Sequence, residues 1–280
     1  KITYKIYRNN RYTYEELNQL ESGITQDEKI YNHFSIYKEI SNINEKLYQR
    51  THDHAIDSAL INLLNNKENP VSPKKTVGFM GGHGVKRTDP TYWQSAELAW
   101  RVAKAGYFVT TGGGPGIMEA ANLGAYFSNY SLEEMEEAIQ FMQDAPSYKD
   151  SNFINRAETI LKQYPNGNIS LAIPTWFYGH EPSNAFSSYI AKYFSNSIRE
   201  DTLLAISLYG IICAPGSAGT VQEIFMDATQ NHYGTFNYYS PMIFLSREHY
   251  EVKTMIYPLL RQLAWGRKYY DLLHITDEPK

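Results

Sequence analysis

The chain has 280 residues, a formal net charge of −4 and a sequence pI near 6.1. That length holds one large α/β domain or two small ones with a dry core, and the charge balance gives no broad basic face for nucleic acid. A single cysteine, Cys213, excludes a disulfide framework within the chain and argues against a cysteine-based metal site. No run of 18 or more apolar residues occurs, and the opening KITYKIYRNN is too polar for a signal peptide. The expected location is the cytoplasm, with no membrane or nucleic-acid partner. The 24 tyrosines read as half-buried packing and interface surface.

Residues 1–70 are rich in Asn, Glu, Lys and Tyr and nearly free of glycine. Ile36, Ile40, Ile43 and Leu47 follow helical spacing, as do Ile56, Leu60 and Leu63. Two or three amphipathic helices are expected, ending at a linker around Pro70 and Pro73. This N-terminal helical extension could cap the remainder, residues 74–280, or help it dimerise.

From Thr76 short apolar runs alternate with helical stretches. Strands are expected at 76–81, 107–111, 169–173, 211–214 and 241–245. Helices are expected at 92–106, 116–127, 131–142, 152–164, 199–210 and 220–230, with a last one reaching about 263. Ser131 and Glu134 form a capping-box pattern. The alternation implies a Rossmann-like, doubly wound parallel sheet with helices on both faces.

Three strands run into small residues: GGHG after the first, TGGGPG after the second and PGSAG after 211–214. Ligands of such sheets bind outside the carboxyl ends of the strands. Glycine there lets the backbone approach a ligand, and the following helix offers free N–H groups to an anion. Gly82 and His83, Gly112, Gly113, Gly114 and Gly116, and Gly216, Ser217, Ala218, Gly219 and Thr220 are therefore candidate phosphate or nucleotide contacts. A tight strand–helix turn without a ligand is the plain alternative for any one loop. None reads G-x-G-x-x-G or G-x-x-x-x-G-K-[ST], so a dinucleotide dehydrogenase or a P-loop NTPase is not supported. A mononucleotide fits better. Glu223, near the start of the next helix, either complements the helix dipole or stands beside a ribose C1′, where a carboxylate could stabilise an oxocarbenium-like transition state or activate water.

The blocks GGGPGIMEAANLGA (112–125) and PGSAGTVQE (215–223) together resemble the Lonely Guy family of nucleoside 5′-monophosphate phosphoribohydrolases, once labelled lysine decarboxylases. The similarity spans roughly Thr76 to Ser246. It implies cleavage of the N-glycosidic bond to free base and ribose 5-phosphate, with no metal and no cofactor, by a homodimer or a higher oligomer built from dimers. The family's closing Glu maps onto Glu223. Its upstream Arg maps best onto Arg199, 16 residues before Pro215, with a one-residue slip. Ser217 stands where the family usually has Gly. Residues 179–201 also resemble, loosely, the larger bacterial nucleotide nucleosidases.

Glu119 could bond a ribose or favour the dipole of its helix, and Met118 could pack on the base or in the core. His83 reads as a loop residue or a phosphate contact, and His180 and Glu181 sit in a loop that could close over a base. The strand ends expected to form the site contain no lysine for a Schiff base, so the decarboxylase reading is poor. The expected activity is hydrolysis of a nucleoside 5′-monophosphate. The alternatives are a non-catalytic sensor of a nucleotide or phosphosugar, and transfer to another acceptor at C1′.

Overall fold

The computed structural model describes residues 2–40, 42–65 and 74–278. The expected linker at Pro70 and Pro73 lies outside them. The N-terminal segment forms α1 (Tyr14–Asn18), a two-residue hairpin of β1 (Leu20–Glu21) and β2 (Ile24–Thr25), α2 (Gln26–Lys38) and α3 (Ile43–Leu64). Thr25 and Asn42 cap α2 and α3 by accepting from the Glu28 and Glu45 N–H groups.

A parallel sheet follows. Its strands are β3 (Thr76–Met80), β4 (Phe108–Thr111), β5 (Leu171–Ala172), β6 (Tyr189–Ile190), β7 (Ile211–Cys213), β8 (Met242–Leu245) and β9 (Leu273–Thr276). The order is β6-β5-β4-β3-β7-β8-β9, parallel throughout. The chain builds outward from β3 to β6 on one side, then returns to β7 and builds outward to β9. The direction reverses between β3 and β7, which opens a crevice at their carboxyl ends. The connecting helices are α4 (Pro90–Lys104), α5 (Ile117–Tyr126), α6 (Leu132–Met142), α7 (Phe153–Gln163), α8 (Asn196–Ile206), α9 (Ala218–Tyr233) and α10 (Ile256–Ala264). The Ser131–Glu134 capping box opens α6 as its sequence indicates. Every residue of β3, β4 and β7 is buried, Cys213 included, as strands covered on both faces must be.

Three departures from the sequence reading have physical causes. The Ile36–Leu47 spacing runs across the break between α2 and α3, and all four residues are exposed, at 60%, 51%, 70% and 55%. The buried face of α2 is instead Asp27, Ile30, His33 and Phe34. Helix α8 covers 196–206 and not 199–210. Its start is set from outside, because both oxygens of Asp53 on α3 accept the Phe194 and Ser195 N–H groups at 2.9 Å. Strands β6 and β9 were not expected; two residues of β6 carry no periodicity, and pairing alone defines them.

The N-terminal segment packs into the same core as the sheet. Tyr12, Leu17, Ile30, Phe34, Ile56 and Leu60 join Trp176, Ile190 and Phe194 in one buried cluster. Tyr12 also exchanges both backbone hydrogen bonds with Ile190, at 2.8 and 3.0 Å, and so covers the β6 edge.

Candidate functional site

The three glycine loops meet at the crevice and hold one another there. The Gly82 N–H donates to the Pro215 carbonyl at 3.0 Å, and the Ile117 N–H donates to the Gly82 carbonyl at 3.2 Å. Gly116 precedes α5 with φ +70°, and a Cβ there would lie 2.4 Å from the Gly82 oxygen. Only glycine allows that approach. In the third loop a Cβ at Gly216 would lie 2.1 Å from Thr220 Oγ1. Gly216 is glycine so that the turn can close onto the first residues of α9.

Above the loops lies a cavity of about 550 Å³, the size of a small-ligand site. Gly82, His83, Gly112, Gly113, Gly114 and Met118 line it, as do Ser217, Ala218, Gly219 and Thr220. Ser217 caps α9 without a side-chain hydrogen bond, and the first turn of α9 holds no acidic residue. The free N–H groups of that turn are therefore left for an anion. Met118 folds back over the second loop, where its sulfur accepts from the Gly114 N–H at 3.4 Å.

Arg199 and Glu223 face each other on the cavity wall. Arg199 Nη1 lies 3.2 Å from Glu223 Oε1, and the two residues are each 8% exposed. Helix α9 starts at Ala218, two residues before the expected start, so Glu223 sits in its second turn. The helix dipole fades within the first turn, which weakens it as a reason for a carboxylate here. Burial pushes the Glu223 carboxyl up to about 7, with Arg199 opposing the rise and Glu200 adding to it. Arg199 Nη2 donates to Asn196 Oδ1 at 2.7 Å, while its Nε is buried without a partner among the described residues. A buried guanidinium N–H without an acceptor is what a bound anion would satisfy.

Glu119 is elsewhere. Its carboxylate accepts from Arg87 Nε at 3.0 Å and from the Tyr92 hydroxyl at 2.8 Å, and Arg87 also donates to the Ala145 and Phe153 carbonyls. Glu119 anchors the loop of 81–89 to α5 and does not line the cavity. Gly116 and Gly216 shape the loops from behind the wall.

At the opposite end the structure adds residues that the sequence did not single out. Lys192, two residues past β6, lines the cavity, so the expectation of a site without lysine does not hold; the side chain is 2% exposed, however, and its Nζ is held by Asp27, 2.8 Å from Oδ1 and 2.9 Å from Oδ2. Asp27 lies on α2 of the N-terminal segment. It also accepts from Trp176 Nε1 at 2.8 Å and faces His180 Nε2 at 3.3 Å. Burial alone would raise the Asp27 pKa, but the Lys192 charge and the hydrogen bonds of His180 and Lys192 outweigh it and hold it at about 2. Residues 165 positions apart thus share one buried charge pair, which no local pattern announces. Glu181, in the loop expected to close over the site, places Oε2 2.9 Å from where a Cβ of Gly114 would stand.

Residues 74–129 match the model of the SLOG cluster4 family. That superfamily includes the Lonely Guy-like proteins, so the resemblance read from the glycine blocks holds at that level. The matched segment carries the first two loops; Arg199 and Glu223 lie beyond it. No curated protein matches the chain. Among solved structures, the molybdenum cofactor carrier protein of Chlamydomonas reinhardtii is 16% identical with a TM-score of 0.44, covering 74% of this chain and 91% of its own. The molybdenum cofactor binding protein of Rippkaea orientalis is 16% identical with a TM-score of 0.43 and the same coverage. These likenesses concern the fold alone. Among the described residues no helix is long and apolar enough to cross a membrane, and no group of three or more His, Cys, Asp or Glu is placed to hold a metal ion.

Proposed function

We propose that the chain hydrolyses the N-glycosidic bond of a nucleoside 5′-monophosphate, giving free base and ribose 5-phosphate. The observation that carries this reading is the buried Arg199–Glu223 pair beside an uncapped helix N-terminus. The 5′-phosphate sits on the loop of 216–220, where N–H groups and the hydroxyls of Ser217 and Thr220 meet it. The ribose then reaches back toward Glu223. As the bond from C1′ to the base nitrogen breaks, positive charge grows on the sugar, and an ionised Glu223 stabilises it. The same carboxylate takes a proton from the water whose oxygen bonds to C1′; the base leaves with its electron pair and takes its proton from solvent, to which Glu223 then returns the one it accepted. A carboxyl that titrates near 7 is matched to that exchange at neutral pH. Arg199 keeps Glu223 oriented and partly ionised, and its unpartnered Nε is available to substrate.

The test is to incubate the pure protein with a panel of monophosphates and look for free base and ribose 5-phosphate. Tight binding without release of base from any of them would replace hydrolysis with a carrier or sensor role for the same cavity. Release coupled to a new C1′ adduct would indicate transfer. The assembly expected from the resemblance is a homodimer or a multiple of one, and a monomer at every concentration in light scattering would exclude it.

A further inference from the structure

A second cavity of about 530 Å³ lies where the N-terminal helices meet the start of α8, and it shares Glu200 and Gln222 with the first. Its charges are unevenly committed. Asp53 is consumed by the Phe194 and Ser195 N–H groups. Glu200 is engaged by Asn196 at 2.8 Å and by Gln222 at 2.6 Å. Lys38 donates to the Phe177 carbonyl at 3.0 Å. Lys46 and Arg50, one helical turn apart on α3, form no ion pair among the described residues, and both are exposed on the cavity wall. Three cations, Lys38, Lys46 and Arg50, thus share the wall with two carboxylates, Asp53 and Glu200, and Glu200 also has Arg199 at 3.6 Å, so the excess charge is positive. Two aromatic rings line the same cavity: Phe177, 38% exposed with the Lys38 ammonium over one face at 4.5 Å, and Tyr37, half-buried with its ring 4.8 Å from that of His33.

We propose that this cavity is a second binding site, for a phosphorylated compound bearing a flat ring. Lys46 and Arg50 take the phosphates and Phe177 and Tyr37 take the ring. Arg suits phosphate through its two-pronged geometry, and aromatic walls suit a heterocycle. The volume accommodates a nucleotide. The cations belong to the N-terminal segment, so the segment brings the site with it. The inference stands on the cavity and its charges and does not require catalysis at Glu223.

The test uses ADP as the probe, titrated calorimetrically into the full chain with ribose 5-phosphate saturating the first cavity. One equivalent of ADP should bind, more weakly as salt rises. Lys46→Glu combined with Arg50→Glu should weaken ADP by about tenfold or more. Both positions are exposed, so the melting temperature and ribose 5-phosphate affinity should not move. ADP binding that survives the double reversal, or strict competition between ADP and ribose 5-phosphate for one site, would overturn the proposal. Inorganic pyrophosphate binding as tightly as ADP would overturn its aromatic half. If the reading of the first cavity is the one at fault, ribose 5-phosphate fails to bind while the double reversal still weakens ADP.

Discussion

Arg199 and Glu223 lie on different helices, 24 residues apart, and their side chains meet at 3.2 Å in a wall that water hardly reaches. The contact ties the carboxylate to a cation without neutralising it fully, because burial and Glu200 push the other way. Glu223→Gln should lower turnover by roughly 10²-fold or more and leave nucleotide affinity nearly unchanged, since such a group acts mainly in the transition state. Wild-type kcat/KM should fall below pH about 7, where the carboxyl takes up its proton. The Gln variant should lose that limb, which separates Glu223 from the titration of the substrate phosphate. Base release by chromatography across pH reads both, and an unchanged limb in the variant removes Glu223 from the chemistry.

Arg199→Ala should behave differently. Affinity and turnover both fall, because a contact present in the ground state is lost. Glu223 also loses the charge that opposes its rise, so the acidic limb of the remaining activity should move to higher pH. A pH profile identical to wild type would mean that Arg199 does not act on Glu223.

The proposed phosphate site at 216–220 makes a simple demand on affinity. AMP should bind and adenosine should bind much more weakly, because the uncapped first turn of α9 and the loop of 216–220 have nothing to hold in a nucleoside. Equal affinities by calorimetry would remove the anion argument.

Asp27 and Lys192 join the N-terminal segment to the cavity, both 2% exposed. Asp27→Ala leaves a buried ammonium without its partner and should cost about 3–5 kcal/mol. Replacing both, Asp27→Leu with Lys192→Met, should cost far less, so the two single effects should not add. The Asp27 pKa is lowered on folding, so its contribution is present above the unfolded value near 4 and is lost as pH falls through about 2. Denaturant melts of wild type, Asp27→Leu, Lys192→Met and the double variant at pH 7 measure the coupling, and additive losses would mean that the pair is not one unit.

Asp227 works in the opposite sense. Burial raises its carboxyl to about 7, against the hydrogen bond from Ser240. A raised folded pKa gives stability that is complete below the unfolded value near 4 and is lost as pH rises through about 7. Asp227→Asn, which cannot ionise, should match wild type near pH 4 and exceed it above pH 7 by up to about 4 kcal/mol. A variant equally destabilised at both pH values would show that Asp227 is not the titrating group.

The amino-acid sequence by itself determined the parallel α/β architecture, the three small-residue loops and the Glu on the helix behind the third. Each is written locally: buried strands are continuous apolar runs, and glycines stand where backbone must touch backbone, as Gly116 does against Gly82. Tertiary structure alone decided the rest. Which of two acidic helix residues reaches the cavity is one case. Glu119 is drawn off by Arg87, 32 positions away, while Glu223 turns to Arg199. The first residue of α8 is another, set by the Asp53 carboxylate from α3. The Asp27–Lys192 pair spans most of the chain. Periodicity and capping act over a few residues, whereas a buried charge finds its partner wherever the fold brings one.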